Sequence, residues 1–320
     1  MKLDRETEAL LYWVSSATGT PTWTLSPEAA RAEYRRTFAK TEIAPPAIGE
    51  ASDLTIAGPA GPMRLRRYLP AKRGREAEAA VLFMHGGGCV LGDIDTHDIF
   101  CRVLCHDTGA TVFSLDYRLA PEHLFPAAVE DTVAALCWLS REALAMGLDP
   151  ARIAIAGDSA GAGLAAVALH ETRGQLQAPV RGQLLIYPAL DLRGRLPSRK
   201  ALAEQFPIPR EMIEWFFNQY FGRAWPCADP RADPSLYEDY TGLPPALIIT
   251  AGHDPLRDEG KEYAESLSAA GVAVEYRCRE GTIHGFMAMG RVLRGAHDWG
   301  RKRVAAWLVE RLREGPKRRP

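Results

Sequence analysis

From residue 50 onward the chain alternates short apolar, β-prone runs with stretches of helical pattern, and few folds accept such an alternation. Several runs are apolar on both faces, so both must be covered, as they are in a parallel sheet wrapped by helices. The pattern predicts strands at 52–57, 64–69, 80–84, 111–116, 152–156, 182–187, 246–251 and 273–278. Helices are expected from about Thr96 to Gly109, from Pro126 to Gly147, from Ala160 to about Arg173, from Arg257 to about Ala270 and from about Gly295 to Arg313. The expected fold class is therefore α/β, with an eight-stranded, mostly parallel sheet flanked by helices.

Two regions break the alternation. Residues 1–45 carry Tyr12, Trp13, Trp23, Tyr34 and Phe38, and residues 193–240 carry Phe206, Trp215, Phe216, Phe217, Tyr220, Phe221 and Trp225. Connections this long are usually lids or insertions. They read as one aromatic, helical cap, which divides the chain into a cap of residues 1–50 and 192–240 and a core of residues 51–191 and 241–320.

Bulk composition excludes several classes of function. Lys and Arg number 39 against 40 Asp and Glu, so nothing draws the chain as a whole to nucleic acid or an anionic membrane. The basic end, "ERLREGPKRRP", reads as a solvated tail. Charges interrupt the opening "MKLDRETEALLYWV" at once, unlike a signal peptide, and no run approaches the roughly 20 apolar residues of a membrane span. The six cysteines (89, 101, 105, 137, 227 and 278) form no C-x-x-C pair and read as reduced thiols of a cytoplasmic protein. No His/Cys/Asp cluster has metal-ligand spacing.

Chemistry enters at "RIAIAGDSAGAGL", residues 152–164. A strand, then Gly157-Asp158-Ser159-Ala160-Gly161, then a helix of small residues is the setting of a nucleophile elbow, in which the serine sits on a strained turn and the glycines admit close strand–helix packing. Ser159 is the expected nucleophile; as a plain helix N-cap it would not need those glycines. A second glycine cluster, His85-Gly86-Gly87-Gly88, follows the third strand. Three glycines cost backbone entropy, and they leave bare N–H groups that a ligand oxygen can approach. With the N–H of Ala160, this loop reads as an oxyanion hole. His85, at the root of the loop, reads as a residue that shapes it rather than as a base.

Serine needs a neighbouring base, and the base an orienting carboxylate. "ITAGHDPLRDEG" follows the seventh predicted strand and "CREGTIHGF" the eighth, which makes Asp254 the acid and His284 the base. His97, His106 and His170 fall on predicted helices, His123 follows "YRLAPE", and His297 lies near the start of the last helix. His253 reads as a surface-loop residue. Asp258 and Glu259 read as first-turn carboxylates that favour the helix dipole.

With HGGG, "DYRLAPEHLFPAAVED", GDSAG, "DPLRDEG" and "IHGF" in this order, the chain resembles the bacterial hormone-sensitive-lipase-like carboxylesterases, an α/β-hydrolase family, from about residue 52 to 310. The resemblance implies ester hydrolysis without metal or organic cofactor, a catalytic Ser159, Asp254 and His284, and oxyanion donors at Gly87, Gly88 and Ala160. It also implies a small-molecule ester as partner and a homodimer through the eighth strand and last helix. Two positions depart from the family pattern: Cys89, where an aromatic or larger apolar residue is common, and Ala162, where glycine is. The same triad serves amidases and peptidases, and related receptors keep the scaffold while losing the base. Short to medium acyl esters are the expected substrates.

Overall fold

The computed structural model describes residues 2–16, 19–72, 78–224 and 228–313. Trp225, Cys227 and the basic stretch 314–320 lie outside the described residues.

Among the described residues eight strands form one sheet: β1 (Glu50–Gly58), β2 (Gly61–Leu69), β3 (Glu78–Met84), β4 (Thr111–Asp116), β5 (Leu148–Asp158), β6 (Gly182–Ile186), β7 (Ala246–His253) and β8 (Val274–Ile283). Their spatial order is β1-β2-β4-β3-β5-β6-β7-β8. β2 runs antiparallel to both its neighbours, and every other pairing is parallel. Crossovers are carried by α3 (Asp98–Thr108), α4 (Ala127–Glu142), α5 (Ala160–Glu171) and α8 (Arg257–Ala269), and α9 (Arg294–Arg313) closes the chain. Two apolar clusters form the core, one holding Leu82, Ile155 and Leu185 and the other Val81, Ala154 and Leu184. Neighbours along one strand fall in opposite clusters, which is why the runs are apolar throughout.

Register at the carboxyl ends of the strands decides where the functional side chains meet. Met84 pairs with Gly157, so the glycine loop and the serine turn leave adjacent strands at the same level. His253 pairs with Ile283, so the next residues, Asp254 and His284, start side by side.

Several boundaries differ from the sequence expectation. β8 runs on to Ile283 instead of stopping at Cys278, because Arg277, Arg279 and Glu280 belong to the edge strand of the sheet, which tolerates charge. β7 ends at His253, which is half-buried at the strand end rather than a surface-loop residue. His97 sits ahead of α3 as its N-cap, not on the helix.

The irregular regions contribute α1 (Arg5–Ser15), α2 (Pro27–Thr41), α6 (Pro197–Ala201) and α7 (Arg210–Phe221). α1 is tied to β8 and α9: Asp4 N–H donates to Gly281 O at 2.9 Å, and Gly295 N–H donates to Glu6 Oε2 at 2.8 Å. Its Tyr12 and Trp13 are 78% and 67% exposed, so the aromatic side chains of the first region do not act as one surface. α2 packs on the loops after β3 and β4, where Arg31 donates to Val90 O and Ala120 O and Arg35 pairs with Asp93. The described cysteines are free thiols: Cys89, Cys101 and Cys105 are buried, Cys137 and Cys278 half-buried. No described helix is long and apolar enough to cross a membrane.

Candidate active site

Ser159 links β5 to α5 in a conformation that side chains rarely adopt, φ 54° and ψ −123°. Such strain persists only where the surroundings over-determine it. Here Ser159 N–H donates to Ile186 O at 2.9 Å, and Ser159 O accepts from the N–H groups of Ala162, Gly163 and Ala189. The flanking glycines are sterically required. A Cβ on Gly157 would lie 2.3 Å from Gly161 O, and one on Gly161 would lie 2.2 Å from Met84 O. Ala162, the departure from the family pattern, is fully buried in the core cluster and fits without strain.

The three residues proposed from sequence come together. His284 Nε2 lies 2.9 Å from Ser159 Oγ, and His284 Nδ1 lies 2.8 Å from Asp254 Oδ2. A carboxylate accepts only, so Nδ1 carries the proton and Nε2 is free to accept from the serine hydroxyl. Asp254 is fully buried, and its other oxygen accepts from Leu256 N–H at 2.8 Å. The Tyr187 ring packs against the imidazole at 4.6 Å between centroids. Asp258 and Glu259 are engaged elsewhere. Asp258 accepts from Ser198 N–H at 2.9 Å and pairs with Arg257. Glu259 is not a surface dipole carboxylate: it is buried, accepts from Leu190 and Asp191 N–H, and pairs with Arg199. Burial pushes its carboxyl up to about 7.

The glycine loop leaves β3 beside the turn that carries Ser159. Gly87 and Gly88 have φ of 114° and 64°, where a side chain would be strained, and their N–H groups donate to no described acceptor. Ala160 opens α5, whose first N–H groups have no partner within the helix. Behind the loop lies a polar layer that motif reading missed. Gly86 N–H donates to Asp158 Oδ1 at 2.7 Å, and His97 Nε2 lies 3.3 Å from the same oxygen. Burial raises the Asp158 carboxyl, but His97 and the Gly86 N–H outweigh it and hold the group below its ordinary range. Only the long-range contact of Asp158 with Gly86 reveals this role, so no sequence signal could have found it.

His85 has the shaping role expected of it. It is fully buried, its Nδ1 lies 2.8 Å from Gly86 O, and its ring stacks on Tyr117 at 4.2 Å. Burial, then the charge of His97, lowers its pKa to about 4. A histidine whose folded pKa lies below the unfolded value of about 6.5 resists protonation in the native state, so stability is lost as pH falls through that interval. The loss attributable to His85 falls in the interval between about 6.5 and about 4. The difference in thermal midpoint between wild type and His85→Gln is therefore expected to shrink between pH 6.5 and 4, and a difference constant with pH contradicts it.

Ser159 opens into a cavity of about 740 Å³, counting its mouth, lined by Gly88, Leu164, Val167, Ile213, Phe216 and Phe217 among others. The second irregular region supplies its aromatic wall through α7, whereas no described residue of 1–45 lines it. Cys89 lines it too, with φ 58°, and burial pushes its thiol up to about 12, which keeps it protonated.

The sequence pattern of the alpha/beta hydrolase fold family matches residues 81–288. Esterase LipI of Mycobacterium tuberculosis is 43% identical over 260 residues, 80% of this chain and 81% of that protein. Carboxylic ester hydrolase LipN of the same organism is 44% identical over 245 residues, 74% of this chain and 64% of LipN, so the match leaves about a third of LipN unaligned. Among solved structures, an alpha/beta hydrolase enzyme from the metagenome of Lake Arreo is 37% identical, with a TM-score of 0.93 over 98% of this chain and 99% of that one. An esterase of Pyrobaculum calidifontis is 37% identical, with a TM-score of 0.87 over 96% and 98% of the two chains.

Proposed function

The chain belongs to the alpha/beta hydrolase family, and on that premise we propose that it is a serine carboxylesterase acting on short- to medium-chain acyl esters through an acyl-enzyme intermediate. One observation carries the reading: the hydrogen-bonded line from Asp254 through His284 to Ser159 ends at the mouth of an apolar cavity, beside a glycine loop with undonated N–H groups.

In this reading His284 Nε2 takes the hydroxyl proton as Ser159 Oγ attacks the ester carbonyl. The developing oxyanion accepts hydrogen bonds from the N–H groups of Gly87, Gly88 and Ala160, fixed donors of which each is worth about 3–4 kcal/mol in a well-studied protease. His284 then protonates the departing alcohol, and water repeats the sequence on the acyl-enzyme. Asp254 keeps the imidazole in the productive tautomer throughout. Residues 192–240 serve as the cap, with α7 bounding the acyl site, while α1 stands outside it against β8 and α9.

Phe216 and Phe217 of α7 wall the cavity beside Ser159, and that aromatic wall limits the room for an acyl chain. The expected result is fastest hydrolysis of 4-nitrophenyl esters between about C2 and C8, with a steep decline toward C16. Equal rates on C4 and C16 esters would mean an open groove, and no turnover of any ester would refute the proposed activity.

A further inference from the structure

Among the described residues that line the cavity, the charged ones are two arginines, Arg199 and Arg231, and no carboxylate or histidine joins them. Arg199, from α6, is 14% exposed in its side chain. Its Nη2 donates to Glu259 Oε1 at 2.5 Å and to Asp191 O at 3.2 Å. Its Nε and Nη1 are buried and have no hydrogen-bond partner among the described residues. Glu259 cannot swing round to serve them, because its second oxygen already accepts from Leu190 and Asp191 N–H. Arg231 grips Asp229 through Nε and Nη2, and among the described residues no acceptor takes its Nη1.

A guanidinium does not shed its charge in a protein, and buried donors left unpaired cost free energy. Such donors beside a substrate cavity fit an acceptor that arrives with the ligand. Both guanidinium groups also rest on one aromatic wall. Arg199 lies 6.0 Å from the Phe217 ring and Arg231 5.8 Å from the Phe125 ring, and Phe221 packs against both phenylalanines at 6.2 and 5.5 Å. Stacking of this kind holds the groups in place while their edges stay free to bind.

We propose that Arg199 and Arg231 form a carboxylate subsite of the cavity, so that the preferred substrates are esters bearing a second, free carboxylate. The inference rests on the ester-hydrolase reading and specifies its substrate class. The two arginines determine specificity and take no part in the proton transfers. The carboxylate can belong to the acyl half, as in a monoester of a dicarboxylic acid, or to the alcohol half, as in an acylated hydroxy acid.

Two substrate pairs separate these sources. Mono-4-nitrophenyl glutarate is compared with 4-nitrophenyl hexanoate, and 4-acetoxybenzoate with its methyl ester, each kcat/KM divided by the rate of alkaline hydrolysis of the same ester. Wild type should favour the carboxylate member of at least one pair by about tenfold or more, the scale of a hydrogen bond to a charged group. Arg231→Gln, whose partner Asp229 lies near the surface, and Arg199→Lys, which keeps a cation beside Glu259, should each lower that preference severalfold. If wild type hydrolyses the neutral esters and favours neither carboxylate, the subsite is refuted while the esterase reading stands. A preference unchanged in both variants also refutes it. If no ester is turned over, both readings fall.

Discussion

Ser159→Ala is expected to lower kcat for ester hydrolysis by at least about 10⁴-fold, since loss of the nucleophile costs about 10⁶ in a serine protease. Whatever rate is left would come from the glycine loop and from binding alone. The protein should stay folded, with a thermal midpoint within a few degrees of wild type. Ser159 is half-buried and its side-chain hydrogen bond is to His284, so the main local cost, the positive φ, is the same for alanine as for serine. Ester turnover in a purified, folded variant within tenfold of wild type would remove Ser159 from its role. A collapsed midpoint would instead mean that the hydroxyl holds the turn together.

Some parts of this molecule are legible in sequence because they are set by local sterics. The turn at Ser159 needs glycine at 157 and 161, where a Cβ would meet backbone oxygens at 2.3 and 2.2 Å, so the requirement is written into the chain at a fixed spacing. β4 and the start of α8 are likewise marked by their own residues, an apolar run and an acidic first turn. Other parts depend on partners far away in the chain. β8 carries charges that read as loop until its place at the edge of the sheet is known. α1 looks like part of a lid, yet Asp4 and Glu6 tie it to Gly281 and Gly295. The carboxylates of Asp158 and Glu259 resemble ordinary polar residues in the sequence, and only the fold brings Asp158 against Gly86 and Glu259 against Arg199. Motifs mark where chemistry happens, whereas the groups that hold those motifs in place come from long-range pairing.

Asp254→Asn and Asp258→Asn should separate the two carboxylates four residues apart. The Asp254 amide can still accept from Leu256 N–H, so the turn into α8 survives the change. Toward His284, however, an amide NH₂ can face Nδ1, which favours the tautomer with the proton on Nε2 and leaves no acceptor for the serine proton. In a well-studied protease that substitution costs about 10⁴ in kcat, and here the expected loss is at least two orders of magnitude. Asp258 faces the other way: its oxygens accept from Ser198 N–H and Arg257 Nε, and an amide oxygen can keep one of these bonds. Asp258→Asn should therefore stay within a few-fold of wild type in kcat and cost about 1 kcal/mol of stability. Circular dichroism should find both variants folded. An inactive Asp258 variant beside an active Asp254 variant would move the orienting role one helical turn along the chain. If both were inactive and folded, the charge near His284, rather than one hydrogen bond to it, would be what the base requires.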